Sequence, residues 1–459
     1  MKLICHGCGA SPPKDEPYPF RCPNADSGDD ADHVLKIELE TEGDMFPRTG
    51  DLNPFVRYRE LLYSWRIAIA RGMSDDEYVA LVNDLDERVA AVDGAGFELT
   101  PFSERPELAA DLGADALYVK NETENVSGTH KARHLMGIAL YLEVAERTGL
   151  VPEGDKPRLA ISSCGNAALA AAVVASALGR ALDVYVPDWA DENVLERLKK
   201  LGANIIVCKR KKNTQGDPCT LAFRKAVKAG ALPFTCQGSE NGLAIDGGRT
   251  LGWELVSQES GKFDQLFLQI GGGALASSVI QALRIAHSMA AIDSIPRIHA
   301  VQTEGGHPLE RSWQRVLWEF DKRMSRGGNP SPDGAGDAQL GTWLFENRDS
   351  AEGRGALRHA ALNRREFMWP WEEPPQSEAT GILDDETYDW YEIVHGMIDS
   401  SGWPVVVTEA QIRQAHVVAR TRTGIDVDAT GTAGLAGALQ LGEATASRVA
   451  VLFTGVTRR

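Results

Sequence analysis

From about residue 95 onwards, short apolar runs alternate with segments that are long enough to form helices. Runs of this length, apolar at successive positions, are typical of strands that are buried on both faces of a parallel sheet. The pattern therefore predicts an α/β fold in which helices cover both faces of mainly parallel sheets. The predicted strands are 116–120, 158–162, 182–186, 204–208, 264–270, 298–302 and 448–453.

Before this region, two stretches within residues 55–95 carry apolar residues at helical spacing. Such spacing predicts two amphipathic helices whose apolar stripes pack into the core. The first stripe is Tyr58, Leu61, Leu62 and Trp65, and the second is Tyr78, Leu81, Val82 and Leu85.

The alternation stops at 305–400, a region rich in tryptophan with a glycine- and proline-rich joint at 327–330. We interpret it as an insertion that forms a lid or a subunit contact, and the alternative is a plain extension of the core. The predicted organisation is a degenerate zinc-ribbon-like segment at 1–45, N-terminal helices and the start of a catalytic core at 46–135, a smaller α/β domain at 136–245, and a larger α/β domain at 246–459 that contains the insertion.

Two partial cysteine turns mark the N-terminal segment. Cys5 and Cys8 form a Cys-x-x-Cys turn, and Cys22 stands in a second turn whose last cysteine is missing. Two complete turns would make a zinc ribbon, because four thiolates close a tetrahedron around the ion. Asp26 and His33 are the candidates for a fourth ligand, and the alternative is a relic knuckle without metal.

Charge and composition exclude several classes of partner. The chain has 48 basic and 65 acidic residues, a net charge of −17, so its field repels nucleic acid and anionic membranes. The longest apolar run, Ala167–Ala175, is far shorter than the ~20 residues of a membrane span, and the N-terminus does not resemble a signal peptide. Seven thinly spread cysteines suit a reducing compartment. We therefore expect a cytoplasmic protein.

Four predicted strand ends carry chemically useful residues, and ligands of α/β sheets bind at such ends. The first end is followed by the segment Asn125–Arg133, in which Lys131 follows a small-residue turn at a predicted helix start. Because a helix N-terminus disfavours a cation, this position favours use of the amine as a nucleophile. The alternative is a solvated lysine.

The second strand end is followed by Ser162–Asn166, at the start of an alanine-rich helix. Small hydroxyl groups and free backbone N–H groups at a helix N-terminus suit a carboxylate. Asn166 is alternatively a helix cap. The same helix N-terminus would lower the pKa of the Cys164 thiol, and plain packing is the alternative role for this side chain.

The ends of the remaining two predicted strands carry residues that suit the binding of a phosphate group and of a ring nitrogen. Gly271, Gly272 and Gly273 separate a buried strand from a helix, so their N–H groups are free to wrap a phosphate, unless they form only a tight turn. The spacing does not match a dinucleotide fingerprint. Thr454 and Gly455 end the last strand, where the hydroxyl either faces a ring nitrogen or belongs to an ordinary turn.

Taken in order, the lysine, the Ser-x-Gly-Asn loop, the three glycines and the Thr-Gly pair resemble the fold-type II pyridoxal-phosphate enzymes. This family includes threonine synthase, threonine dehydratase, diaminopropionate ammonia-lyase and cysteine synthase. The segment from Val119 to Arg133 resembles the one around the family's cofactor-holding lysine. The resemblance covers about 95–305 and 400–459, and it implies two doubly wound parallel-sheet domains with the cofactor between them, a small amino-acid substrate and a homodimer.

The resemblance also implies roles for individual residues. Lys131 would hold pyridoxal 5′-phosphate through its amine and then move protons at the substrate Cα. Asn166 would bond the 3′ oxygen of the cofactor, and the Thr454 hydroxyl would meet the pyridine nitrogen and leave it largely unprotonated. The substrate carboxylate would bind at Ser163, Cys164 and Ala167, and the phosphate at Gly271, Gly272, Gly273 and Ala274.

One departure bears on the substrate. Threonine synthases resemble Ser-Thr-Gly-Asn-Thr at the second loop, with further hydroxyl and arginine groups that hold a substrate phosphate, whereas the matching positions here are Ala167, Ala170 and Ala177. The glycine run is more similar to the dehydratase and ammonia-lyase branch. We therefore expect elimination or replacement at Cβ of a small α-amino acid. A threonine synthase acting on O-phosphohomoserine is the second hypothesis, and a non-catalytic homologue that binds a partner is the third.

Overall fold

The structure is a computed structural model that describes residues 1–39, 45–152, 154, 156–209, 217–259, 263–442 and 447–458. Residues 40–44, at the end of the predicted N-terminal segment, lie outside the described residues. The strands are β1 (Lys2–Cys5), β2 (Leu35–Glu38), β3 (Phe102–Glu104), β4 (Ala116–Asn121), β5 (Leu159–Ser162), β6 (Leu182–Pro187), β7 (Asn204–Cys208), β8 (Leu232–Pro233), β9 (Gln265–Gln269), β10 (Arg297–Thr303), β11 (Pro404–Val407) and β12 (Arg448–Phe453).

Helices connect these strands, and short 3₁₀ turns occur at Arg59–Leu61, Glu122–Glu124, Val126–Gly128 and Thr380–Ile382. The α-helices are α1 (Pro54–Arg57), α2 (Tyr63–Ala70), α3 (Asp75–Asp93), α4 (Pro106–Leu112), α5 (Lys131–Arg147), α6 (Asn166–Ala177), α7 (Glu192–Lys200), α8 (Pro218–Lys228), α9 (Leu243–Glu259), α10 (Ala274–Ser288), α11 (Pro308–Arg326), α12 (Asp337–Asn347), α13 (Ala351–Leu362), α14 (Arg364–Phe367), α15 (Trp390–Asp399), α16 (Glu409–Thr423) and α17 (Ala433–Leu441).

The larger sheet has six strands in the order β11-β10-β9-β12-β4-β3. Five of them are parallel, and only β3 runs antiparallel at one edge. Strand β12 pairs with β4 along its whole length, so that Phe453 lies opposite Asn121. The segments that follow these two strands, which carry Thr454 and Lys131, therefore leave the sheet side by side.

The smaller sheet has four parallel strands in the order β7-β6-β5-β8. Helix α6 follows β5 and packs against α5, which follows β4 of the larger sheet. Helix α5 is buried along almost its whole length and also packs against α9. The parallel α/β fold is confirmed, and the seven predicted strands form within one or two residues of their predicted ends.

One of the two predicted N-terminal helices is divided. Leu62 has an extended backbone (φ −86°, ψ 141°), so α1, a 3₁₀ turn and α2 replace the single helix expected around Tyr58 and Trp65. The stripe still packs as core, because Tyr58, Leu61 and Leu62 are buried. The second predicted helix is α3, which begins with a Ser74–Glu77 capping box.

The tryptophan-rich insertion contributes residues to the core and also packs near the carboxyl ends of the strands of the larger sheet. Trp313, Trp343 and Trp390 are buried, whereas Trp318 is exposed. Helix α15 packs against β10 and α10. In the described part of the chain, no helix combines the length and apolarity that crossing a bilayer requires.

Candidate functional site

The four predicted strand-end segments come together at the carboxyl edge of the larger sheet and the adjoining end of β5. Thr129 Oγ1 donates to the Thr454 carbonyl at 3.0 Å, and the His130 N–H donates to the same oxygen at 3.3 Å. The Gln269 amide, just before the three glycines, donates to Thr454 Oγ1 at 2.8 Å. The Asn166 side chain lies next to Gly455. The segments therefore form one site, although they are distant in the sequence.

The turn before Lys131 has an unusual backbone. Ser127 and Gly128 both adopt positive φ, 56° and 59°, a conformation that costs a non-glycine residue free energy. The Ser127 N–H is held by a 2.6 Å bond to the Asp93 carboxylate. A Cβ on Gly128 would lie 2.5 Å from Val456 Cγ1, so glycine is required for the close approach of the two segments. The turn sets Lys131 as the first residue of α5, as predicted.

Lys120, the other lysine of this region, is fully engaged elsewhere. Its ammonium donates to the Thr100 carbonyl (2.6 Å), to Glu254 Oε2 (2.6 Å) and to Gln258 Oε1 (2.8 Å), and its side chain is completely buried. Arg133 joins the same network, with bonds to Glu122 and Glu254. This cluster of buried charges anchors the start of α5 on both sides of Lys131, and of the two lysines Lys131 is therefore the candidate for a chemical role.

Asn166 does not cap its helix. Gly165 occupies the cap position and Asn166 is the first helical residue, so the capping alternative is wrong. Arg458 Nε donates to Asn166 Oδ1 at 2.9 Å, and the Asn166 amide group bonds the Asp428 carboxyl. With its oxygen engaged by Arg458 and one N–H engaged by Asp428, Asn166 retains one amide N–H as a donor that is free among the described residues.

The three glycines, called here the glycine loop, end in a left-handed residue. Gly273 has φ 100° and caps α10, whose first residue is Ala274. The first N–H groups of a helix have no intrahelical partners, and the helix dipole favours an anion at this end. The loop therefore has the geometry of a phosphate cradle.

A segment of the insertion, residues 384–389 (called here the cover segment), packs directly on the glycine loop. Thr387 Oγ1 donates to the Gly271 carbonyl at 3.1 Å, and the Asp389 N–H donates to the Gly272 carbonyl at 3.1 Å. A Cβ on Gly272 would lie 2.8 Å from the Tyr388 ring. The glycines are thus needed for close packing as well as for backbone freedom, and the insertion takes part in the site.

The cover segment also brings a carboxyl group to the loop. Asp384 accepts a hydrogen bond from the Gly272 N–H, and burial raises the pKa of this carboxyl, while the charge of Lys131 opposes that rise. A carboxylate at a phosphate cradle competes with the phosphate for the same N–H donors. Burial favours the neutral acid, which reduces the electrostatic conflict.

The loop predicted to bind a carboxylate joins β5 to α6. Ser163 and Cys164 are half-buried, and the Gly165 N–H donates to Ser163 Oγ at 3.4 Å. The prediction of a lowered Cys164 pKa is wrong, because burial raises the pKa of this thiol. Ala167, Ala170 and Ala177 are all buried on α6 and contribute no polar group.

The N-terminal cysteines come together, but at a different place from the sheet edge. Cys5, Cys8 and Cys22 form a cluster with His33 in which all ligand atoms lie within 4.8 Å of one another. Asp26 does not belong to this cluster and lies 3.7 Å from Arg21. Of the two candidates for a fourth ligand, the structure therefore selects His33.

Four contributors to the site were missed by the sequence interpretation. Gln269 is the last residue of β9, and its polarity at the end of a buried strand is the one available signal. Asp428 and Arg458 act on Asn166 from other parts of the chain, and Asp384 comes from the insertion. No local pattern marks these three residues.

A lysine, a glycine loop at a helix N-terminus and a hydroxyl group thus meet at the ends of parallel strands, an arrangement that is typical of cofactor-dependent α/β enzymes. A family model described as pyridoxal-phosphate dependent enzyme matches residues 95–338, just over half of the chain. The protein therefore belongs to the family of pyridoxal-phosphate dependent enzymes, of the fold-type II group.

Curated relatives are distant and carry different activities. A tryptophan synthase beta chain from Mycobacterium intracellulare is 26% identical over 300 residues, which are 59% of this chain and 69% of the relative. A threonine synthase from Methanosarcina acetivorans is 24% identical over 219 residues, 46% of this chain and 49% of the relative. The chain thus matches only about half the length of that threonine synthase.

Solved structures of the same fold include a threonine deaminase and an ammonia lyase. A threonine deaminase from T.th. superposes with a TM-score of 0.56 at 20% identity, covering 82% of this chain and 98% of that chain. Diaminopropionate ammonia lyase from Escherichia coli gives a TM-score of 0.56 at 17% identity, covering 89% and 91%. At this level of identity the similarity establishes the fold.

The residues of the site fit pyridoxal phosphate. The helix N-terminus at Gly273 and Ala274 is suited to the phosphate, and Lys131 at the first position of α5 is a candidate for the amine. Thr454 Oγ1 already accepts a bond from Gln269, so its own proton is available for an acceptor such as a ring nitrogen.

Proposed function

We propose that this protein catalyses elimination or replacement at Cβ of a small α-amino acid with bound pyridoxal phosphate. The observation that carries this proposal is the hydroxyl of Thr454, which is buried at the sheet edge with its oxygen engaged by Gln269. A hydroxyl facing the cofactor's ring nitrogen acts as a donor to an unprotonated nitrogen, whereas a carboxylate would require that nitrogen to be protonated. The bound cofactor then supplies a mild electron sink for the Cα carbanion, which suits loss of a leaving group from Cβ.

Lys131 has two tasks in this proposal. Its amine holds the cofactor between catalytic cycles, and once substrate has displaced it the same amine takes the proton from the substrate Cα. The position at the first residue of α5 supports both tasks, because the buried network of Lys120, Arg133, Glu122 and Glu254 fixes the helix start. The amine therefore stays close to Cα while its proton moves.

The other residues of the site bind and orient the cofactor and the substrate. Asn166 donates to the cofactor's 3′ oxygen with an amide that Arg458 holds in position. The glycine loop and Ala274 bind the phosphate through backbone N–H groups. Ser163 and Cys164 on the loop, with Ala167 in the first turn of α6, receive the substrate carboxylate, where the N-terminus of α6 provides donors.

The leaving group is expected to be uncharged or small. Ala167, Ala170 and Ala177 offer no hydroxyl or guanidinium for a second phosphate. Poor turnover of O-phosphohomoserine is therefore expected. The names of the similar structures, threonine deaminase and diaminopropionate ammonia lyase, support a lyase, while the tryptophan synthase beta chain supports replacement at Cβ as the related outcome.

The test has a chemical and an enzymatic part. The full chain is reconstituted with pyridoxal phosphate, reduced with borohydride and mapped by peptide mass spectrometry. The label is expected on Lys131, to be lost in Lys131→Ala and kept in Lys228→Met, a lysine on α8. Label at Lys120 or another lysine would overturn the assignment of the amine.

The enzymatic part screens small amino acids with substituents on Cβ, and measures release of ammonia, of a 2-oxo acid or of the leaving group. Turnover of at least one such substrate, lost in Lys131→Ala, supports the proposal. Efficient formation of threonine and phosphate from O-phosphohomoserine would overturn it in favour of a threonine synthase. A chain that binds no cofactor would overturn it in favour of a non-catalytic homologue.

A further inference from the structure

The N-terminal cluster lies outside the cofactor site and has the ligand set of a structural metal centre. Cys8 Sγ and Cys22 Sγ are 3.5 Å apart, and Cys5 Sγ and His33 Nδ1 are 3.7 Å apart. With Zn–S bonds of about 2.3 Å and Zn–N bonds of about 2.0 Å, the edges of a tetrahedral site are about 3.5–3.8 Å long. We propose that Cys5, Cys8, Cys22 and His33 bind one Zn²⁺ ion per chain.

The backbone around the cysteines is arranged for thiolates. The Cys8 N–H donates to Cys5 Sγ at 3.4 Å, and the Asn24 N–H donates to Cys22 Sγ at 3.4 Å. The Asn24 side-chain amide adds a 3.6 Å contact to Cys8 Sγ. Donors that point at sulfur stabilise its anionic form, which is the form that binds zinc.

The histidine is oriented by a carboxylate. His33 Nε2 lies 2.9 Å from Asp29 Oδ1, while Nδ1 faces the sulfur of Cys5. A carboxylate that accepts from the distal nitrogen of a histidine fixes the tautomer that leaves the other nitrogen free for a metal. Asp29 therefore has the role of a positioning residue, and the neighbouring Asp26 has no part in it.

A metal centre here would stabilise the position of the insertion, because residues next to the ligands form hydrogen bonds with residues of the insertion. The Asp32 N–H donates to the Ala361 carbonyl at 2.8 Å, and Arg358 Nη1 donates to the Gly7 carbonyl at 2.7 Å. Arg364 bridges the carboxylates of Asp32 and Glu386. Since Glu386 belongs to the cover segment, the ion would stabilise the packing of that segment on the glycine loop.

Metal content provides the first test. The full chain is purified, dialysed against metal-free buffer and analysed for zinc by mass spectrometry, with cobalt reconstitution as an optical probe of sulfur ligation. One ion per chain is expected, with sulfur-to-cobalt charge-transfer absorption. The zinc content should fall well below one ion per chain in His33→Ala and Cys8→Ser. It should stay at one ion per chain in Asp26→Asn and Cys208→Ser.

A second test covers the case in which those variants fail to fold. Asp29→Asn keeps every ligand and should weaken zinc binding about 10- to 100-fold in competition with a chromophoric chelator, whereas Asp26→Asn should not. Less than a tenth of an ion per parent chain, or a Cys8–Cys22 disulfide in protein purified under reducing conditions, would overturn the proposal. Equal affinities of the two asparagine variants would overturn the role of Asp29.

The link to the cover segment has its own readout. Removing the ion with a chelator should speed amide hydrogen exchange in 384–389 without affecting the smaller sheet. Unchanged exchange in 384–389 would overturn the stabilising role. None of these measurements depends on cofactor chemistry, so they can succeed or fail independently of the proposed reaction.

Discussion

The side-chain amide of Gln269 donates a 2.8 Å hydrogen bond to the hydroxyl oxygen of Thr454. The same amide nitrogen also bonds the carbonyl oxygens of Gly431 and Leu452, at 3.1 Å and 3.2 Å. These acceptors fix which end of the Gln269 amide faces Thr454. The oxygen of the Thr454 hydroxyl consequently accepts from Gln269, which leaves the hydroxyl proton available for another partner.

The first prediction concerns the Thr454 hydroxyl. Thr454→Ser keeps the donor and should retain kcat/KM within a few-fold. Thr454→Val removes it and should lower kcat/KM by about 10- to 100-fold, because a buried acceptor left without its donor costs about 1–3 kcal/mol. Thr454→Asp should slow elimination about 100-fold, because a carboxylate favours protonation of the ring nitrogen and changes the electron sink.

Steady-state kinetics and the absorbance of the bound cofactor check this set of variants. Thr342→Val serves as the control, because Thr342 Oγ1 bonds the Ala338 carbonyl within α12, away from the site. If the Asp and Ser variants share the parent's rates and spectra, Thr454 does not face the ring.

The second prediction concerns the carboxyl group at the glycine loop. Asp384→Asn should tighten binding of pyridoxal phosphate, by at most about tenfold, because it removes the negative charge that this carboxyl group can carry next to the phosphate, while the amide oxygen can still accept from the Gly272 N–H. Fluorescence titration of the cofactor-free protein measures the affinity. Asp385→Asn makes the same charge change one residue away and should have a smaller effect. A looser complex in Asp384→Asn would show that the carboxyl group helps to hold the cofactor.

The third prediction concerns stability. Lys120→Met leaves Glu254 buried without one of its cationic partners and should lower the free energy of unfolding by about 3–5 kcal/mol. Arg413→Met breaks an exposed ion pair with Glu378 and should change the free energy of unfolding by less than about 1 kcal/mol. Urea unfolding monitored by circular dichroism distinguishes the two. Equal effects would mean that the buried network is not a determinant of stability.

The fourth prediction concerns pH. Burial raises the pKa of Asp428 to about 6, above the 3.8 of a free side chain. Between these values the native state binds more protons than the unfolded state, so the contribution of this group to stability falls as pH rises from about 4 to about 6. Asp428→Asn removes this dependence, which amounts to about 2–3 kcal/mol.

Urea unfolding of parent and Asp428→Asn protein at both ends of this range gives the comparison. The stability difference between variant and parent should increase in favour of the variant as pH rises. Asp264→Asn provides a control, because the bond to Arg448 lowers the pKa of Asp264 below 3.8, so the stability difference caused by this substitution should change little between about pH 4 and pH 6. A difference that does not change with pH would contradict the raised pKa of Asp428.

The strands and the segments that meet at the sheet edge could be predicted because their signals are local. Buried parallel strands are continuous apolar runs, and the residues that follow them, such as Lys131 and Gly271, are marked by turn chemistry within a few positions. The order of the four strand-end segments was enough to predict the family, which the family match confirms.

The rest depends on contacts between distant parts of the chain. Asn166 was open to interpretation as a cap until its bond to Arg458, 292 residues away, defined its orientation. The pKa of Cys164 was predicted from the helix dipole alone, whereas desolvation dominates. By spacing alone, His33 and Asp26 are equivalent candidates for the fourth ligand. Only the folded structure shows that His33 lies with the three cysteines and that Asp26 does not.

The position of β12 between β4 and β9 has a consequence for how the protein is made. The bond between Thr129 and Thr454 joins residues that are 325 positions apart, so the turn before Lys131 has no partner until nearly all of the intervening chain has left the ribosome. Pairing over such a distance is slow, because the entropy of closing the loop is lost before any contact compensates it. During translation, the edges of β4 and β9 that pair with β12 therefore stay unpaired until β12 has been made. Chaperones that shield unpaired strands would act at this stage.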